Sequence, residues 1–241
     1  MFEEYFEDIR GTMKYHWLNK ENNKKLIVFF CGWSFDYVPF EFLSHEGADV
    51  CVIYDYGDIN SPEFVKTLPN LDGYEDYSLV TWSMGVYVAY LLKDILTKFS
   101  KKVAVNGTPF PIDDELGIPL KTFDLTLKYV DTGLKGKFQK NLFKKTQDYE
   151  RYTVHPVQRS IENQSKELVE LAKHIKSRPA TYEKYYDKAI ISDKDKIIPT
   201  KNQIKCWEKF AEYVILDSGH FPFFEFESWD EILECKQIQK Q

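Results

Sequence analysis

No apolar run in the sequence approaches the ~20 residues that cross a bilayer, and the opening MFEEYFEDIRG is acidic where a secretory leader would be basic. The expectation is a cytoplasmic chain outside the membrane. Cysteine is sparse: Cys31, Cys51, Cys206 and Cys235 are the four present, without Cys-x-x-Cys spacing. Neither a disulfide framework nor a metal site is indicated, and no cofactor is expected. Positive charge is also short. The formal net charge of −6 argues against general nucleic-acid binding, which needs a dominant basic face. Internal repeats and low-complexity tracts are absent. With 43% hydrophobic and 29% charged residues the composition is that of a globular chain, which excludes a long disordered tail. The 241 residues fit a single domain spanning 1–241, and a monomer is expected. The 18 Phe and 16 Tyr are spread along the chain, as core and surface packing would have them.

Short runs of β-branched and aromatic residues mark strands at 26–31 (LIVFFC), 50–54 (VCVIY), 78–82 (SLVTW), 103–106 (VAVN), 189–192 (AIIS) and 213–216 (YVIL). They are apolar throughout rather than alternating, the pattern of a parallel sheet covered on both faces. Helical patterns at 84–99 and 200–210 lie between them, so the order predicts an α/β fold with a mostly parallel central sheet and helices on both faces. Residues 14–18, followed by the polar turn 19–23, look like one arm of an antiparallel hairpin leading into the first core strand. From about 110 to 186 strand patterns give way to helical spacing (Phe123, Leu127, Val130, then Ile161, Leu168, Leu171, Ile175). This stretch reads as a helical cap insertion over the sheet's carboxyl edge. The acidic amphipathic start, residues 2–9, has no functional reading.

Thr81-Trp82-Ser83-Met84-Gly85 follows a strand and opens a helix, the context of a nucleophile elbow of the α/β-hydrolase type. The bland alternative is a serine that merely caps the helix. Gly85 supplies the small residue such a turn demands, whereas Thr81 replaces the usual first glycine with a β-branched side chain. Downstream, Asp193 and Asp195 sit on the loop after strand 189–192, and Gly219-His220 follows the last strand. The chain order Ser, Asp, His is that of the fold. The expected roles are Ser83 as nucleophile, His220 as general base and Asp195 as the carboxylate that orients the imidazole, with Asp193 capping or solvating its turn. An oxyanion hole needs two backbone donors. Met84 N–H, directly after the nucleophile, is one candidate; Trp33 N–H in the loop Cys31-Gly32-Trp33-Ser34 is the other. Trp33, Phe123 and Phe143 are candidate walls for a substrate, alongside the cap aromatics Phe138 and Tyr152.

Three segments, Phe30-Cys31-Gly32-Trp33-Ser34-Phe35-Asp36, Trp82-Ser83-Met84-Gly85-Val86 and Ser218-Gly219-His220-Phe221-Pro222-Phe223, together resemble the BioG-type pimeloyl-[acyl-carrier protein] methyl ester esterases of biotin synthesis. The resemblance implies hydrolysis of the methyl ester at the far end of a pimeloyl chain held on acyl carrier protein, with release of methanol. Cys31 departs from the broader α/β-hydrolases, which usually carry His there. An acidic carrier calls for a basic surface, and residues 121–159 contain nine Lys or Arg against four acids, leaving −11 on the rest of the chain. Arg151 and Arg159 are the candidate phosphate or carboxylate contacts, because guanidinium is the better bidentate donor. The rival readings are a general short-chain carboxylesterase or thioesterase, and a non-catalytic binding protein on the same fold.

Overall fold

The computed structural model describes residues 13–131, 137–178 and 181–236; the acidic segment 2–9 and Lys135 lie outside them. Seven strands, β1 (Lys14–Asn19), β2 (Lys25–Phe30), β3 (Ala48–Tyr54), β4 (Asp76–Trp82), β5 (Lys101–Val105), β6 (Lys188–Ser192) and β7 (Glu212–Leu216), form one sheet in the order β1-β3-β2-β4-β5-β6-β7. β2 through β7 are mutually parallel, and β1 runs antiparallel along β3. The unbroken apolar runs follow from two-sided burial. Along β2, Leu26, Val28 and Phe30 face one layer while Ile27 and Phe29 face the other, and all five are fully buried. Each such side chain contributes roughly 2 kcal/mol of transfer free energy.

The first strand is antiparallel as the sequence implies, but it is not the hairpin partner of β2. It pairs with β3, which lies between them. The cause is Asp49 at the start of β3, whose carboxylate accepts the backbone N–H groups of Glu21, Asn22 and Asn23 and the side-chain amide of Asn23. The polar turn is thereby tied across β3 instead of closing directly onto β2.

Helices cover both faces. α1 (Met84–Leu91) packs on one, and α6 (Thr200–Trp207) joins it there, while α7 (Trp229–Glu234) buries Trp229, Ile232 and Leu233 on the other. α1 stops well short of residue 99. Beyond it the chain continues in tight turns, such as Ile95 N–H to Leu92 O, that still bury Leu92, Leu96 and Phe99 before Ser100 N–H reaches Tyr77 O and β5 begins. Between β5 and β6 stands the helical insertion: α2 (Leu120–Tyr129), α3 (Lys137–Asn141), α4 (Thr146–Tyr152) and α5 (Ile161–Lys176). α5 is the longest. Ser160 caps it by accepting Asn163 N–H, and Lys173 and Lys176 occupy its last turn, where positive charge suits the helix dipole.

Candidate active site

Three loops leave the carboxyl edge of the sheet, after β4, β6 and β7, and each delivers one functional side chain. Ser83 is held at φ 54°, ψ −122°, a left-handed conformation that costs a non-glycine residue on the order of 1–3 kcal/mol. Its N–H donates to Val105 O at 3.0 Å. Close packing fixes the turn: a Cβ on Gly85 would stand 2.3 Å from Phe30 O, and one on Gly107 would stand 2.5 Å from Ser83 O. Thr81 is accommodated because its hydroxyl turns sideways to Val103 O at 3.3 Å, and the demand for a small residue falls on Gly107 of the neighbouring loop.

His220 Nε2 lies 2.9 Å from Ser83 Oγ, and Nδ1 lies 2.8 Å from Asp195 Oδ2. Nδ1–H donates to the carboxylate, which leaves Nε2 as the base facing the serine hydroxyl. All three residues are buried. Asp195 is fixed from every side: Oδ1 accepts Ile197 N–H at 2.8 Å and Ile198 N–H at 2.9 Å, and Oδ2 also accepts the side-chain amide of Gln203 at 2.8 Å. Asp193 faces elsewhere, 3.1 Å from Lys194 Nζ. The histidine loop is anchored by Trp82 Nε1–H donating to His220 O, and by the Asn106 amide donating to Gly219 O and His220 O.

Above Ser83 opens a cavity with roughly 710 Å³ of unfilled space, its mouth included. Trp33, Met84, Phe123 and Phe138 line it, as do Leu168 of α5 and, near His220, Lys196. Trp33 and Phe123 thus reach the cavity as the sequence suggests. Phe138 reaches it too, whereas Phe143, Tyr152, Arg151 and Arg159 are placed elsewhere. Phe143 packs behind the wall against Tyr152 and Phe221. Arg151 lies over the rings of Phe42 and Phe224, on a separate groove. Arg159 turns inward. Its side chain is 6% exposed, with Nη2 3.1 Å from Asp55 and Nη1 2.8 Å from Glu167, so its guanidinium is occupied by the interior.

At the loop after β2, Phe35 N–H donates to Gly32 O and Ser34 N–H donates to Glu167 Oε2 at 3.1 Å. Cys31 beside it is fully buried, and burial pushes its thiol well above the usual range, which makes it a packing residue rather than a nucleophile. Three supporting residues escaped the sequence reading: Asn106, Gln203 and Glu167. Asn106 ends a strand-like run at the catalytic edge, a positional hint. The other two sit on helices whose sequence gives no sign of what they hold.

A buried serine, histidine and aspartate in hydrogen-bonded series, on loops at one edge of a sheet with this topology, define a serine hydrolase of the α/β-hydrolase fold. An esterase from Exiguobacterium antarcticum has the same fold, with a TM-score of 0.59 at 18% identity over 88% of this chain and 90% of that one. The family model described as pimeloyl-ACP methyl esterase BioG matches residues 13–232, and the chain belongs to that family. The crystal structure of BioG from Haemophilus influenzae superposes with a TM-score of 0.80 and 28% identity, covering 92% of this chain and 99% of that one. A malonyl-[acyl-carrier protein] O-methyltransferase of Bacteroides fragilis is 34% identical over 201 residues, 82% of this chain. The chain spans 40% of that relative's length. An uncharacterized protein of Haemophilus influenzae is 32% identical over 209 residues, covering 85% of this chain and 92% of that one.

Proposed function

We propose that this chain hydrolyses the methyl ester of a pimeloyl group carried on acyl carrier protein, releasing methanol and the free carboxylate. The observation that carries the reading is the Ser83–His220–Asp195 series at the foot of an apolar cavity in a chain of this family. The similarity to a protein named for methylating a carrier-bound acid supports a methyl ester as the bond to be cut.

Ser83 Oγ attacks the ester carbonyl as His220 Nε2 takes its proton, and Asp195 stabilises the imidazolium that forms. Met84 N–H, at the first turn of α1, and Trp33 N–H, on the cavity wall, receive the oxyanion. The protonated imidazole then gives its proton to the departing methoxide. Water, activated by the same histidine, cleaves the acyl-enzyme and restores Ser83. Trp33 and Phe123 hold the methylene chain. The largely apolar lining suits the neutral ester and its methylene chain, which have little hydration to lose on entering. The acidic carrier docks on the cap. Among the described residues of that region Lys144 pairs with Asp217, Lys145 with Glu225 and Arg159 with Asp55 and Glu167, whereas Lys121, Lys128 and Lys140 are exposed and form no ion pair.

The test compares pimeloyl-carrier methyl ester with a free short-chain methyl ester. Turnover of the carrier substrate should dominate, and Ser83→Ala should abolish both that turnover and covalent labelling by a fluorophosphonate. Faster cleavage of the free ester would favour a general carboxylesterase. Loss of thiol-linked acyl groups instead of methanol release would make the chain a thioesterase, and a folded protein that takes no label would be a binding protein.

A further inference from the structure

The longest cap helix sends one carboxylate into the loops of the catalytic edge. Glu167, on α5, is fully buried and spans two loops of the sheet edge: Oε2 accepts Ser34 N–H at 3.1 Å, and Oε1 accepts Tyr56 N–H at 2.9 Å. Ser34 is the residue after Trp33, and it is held at φ 72°, while Asp55, just before Tyr56, is held at φ 63°. Neither conformation is one that these residues adopt without support. One turn earlier on the same helix, Gln164 O accepts the indole N–H of Trp33 at 2.8 Å. The Trp33 residue is therefore gripped twice by α5, through its side chain and through the amide that follows it.

The carboxylate is itself braced. Arg159 Nη1 donates to Glu167 Oε2 at 2.8 Å and to Phe35 O at 3.1 Å, and Asn163 donates to Asp55 Oδ2 at 2.9 Å. An isolated buried carboxylate is costly, and here Arg159 and two backbone donors offset that cost. Because Glu167 takes the N–H of Ser34, that amide is committed to α5, and the preceding amide, Trp33 N–H, is the loop's remaining candidate donor for the oxyanion.

We infer that Glu167 is a positioning residue of the oxyanion hole: a carboxylate supplied by the cap that fixes the Trp33–Ser34 peptide and, with the indole contact, the backbone of Trp33, whose N–H in the adjoining Gly32–Trp33 peptide is thereby aimed at the developing charge. This rests on the esterase reading above. It adds that the cap is a structural part of the catalytic machinery as well as a cover for substrate. Glutamine is the informative replacement, since it keeps the length of the side chain but turns one acceptor into a donor facing an N–H group or Arg159.

The experiment measures kcat and KM separately for wild type and Glu167→Gln on the same ester, with folding followed by thermal unfolding and near-UV circular dichroism. The expected result is a fall in kcat on the order of 10- to 100-fold with little change in KM, since misplacing a donor weakens transition-state binding selectively. A trifluoromethyl ketone, which forms an oxyanion on Ser83, should lose affinity by a similar factor. Unchanged kcat in folded Glu167→Gln would overturn the proposal, as would a rise in KM alone, which would make the residue a support for the substrate wall. Should the variant fail to fold, amide hydrogen exchange in wild type decides: Ser34 N–H must be strongly protected, and exchange at an open-loop rate would overturn the proposal. The esterase reading is tested apart from this by wild-type turnover and its loss in Ser83→Ala.

Discussion

Gly85 has no room for one more carbon. The atoms that a Cβ would strike are the carbonyl oxygens of Phe30 and Cys31, at 2.3 and 2.5 Å, and both belong to the backbone of the central strand region and cannot swing aside. Gly85→Ala is therefore expected to cost more than about 3 kcal/mol or to leave the protein insoluble. Gly47→Ala, at φ 75° with open space around it, should cost only about 1 kcal/mol; urea unfolding of the two variants checks the contrast. At this scale the reactive residues were legible because each lies on the loop that follows an apolar strand, and chain order then assigned the roles of Ser83, Asp195 and His220. Glu167, Gln203 and Asn106 were not. Their partners are single groups on loops, in most cases far along the chain, and such pairings leave no periodic trace. Arg159 misled for a related reason: a guanidinium in a lysine-rich segment reads as surface, while the acids that draw it inward, Asp55 far upstream and Glu167 just past the counted region, were not in the count.

Among the elements, the parallel strands were the most legible, since two-sided burial makes them apolar without interruption. The neighbour of β1 was not legible, because it depends on Asp49 collecting three backbone amides. The packing of α5 against α1 carries its own prediction. Tyr87 Oη lies 3.0 Å from His174 Nδ1, and burial, with a smaller effect from the charge of Arg178, lowers the imidazole pKa to about 4 from its ordinary 6.5. The unfolded chain then binds a proton that the folded chain refuses, so this contribution to stability is complete above pH 6.5 and is lost as pH falls from there toward 4. Wild type should lose roughly 3 kcal/mol more than His174→Gln between pH 7 and pH 4, read from urea unfolding at the two pH values. Equal losses would show that the histidine does not govern this window.

For the whole molecule the uneven charge matters more than its total. The count of basic residues in the cap region was legible, but the number available to a partner was not, since Lys144, Lys145 and Arg159 are spent on internal pairs. Reversing Lys121, Lys128 and Lys140 to glutamate together should lower kcat/KM for a carrier-bound ester several-fold at low salt, with the difference shrinking as ionic strength rises. Turnover of a free ester should stay unchanged. A loss on both substrates would place these lysines in the fold's support rather than in docking.

The insertion also has a duty in the chain's path. β5 ends at the sheet edge where Ser83 sits, whereas β6 enters from the opposite edge, beside Asp187 N–H and Lys102 O, and the two strands are parallel neighbours. Such a pair needs a return passage of roughly a dozen residues. The roof of the cavity is therefore also the bridge back across the sheet: a lineage or a designer can reshape it freely, yet can never delete it without building another span.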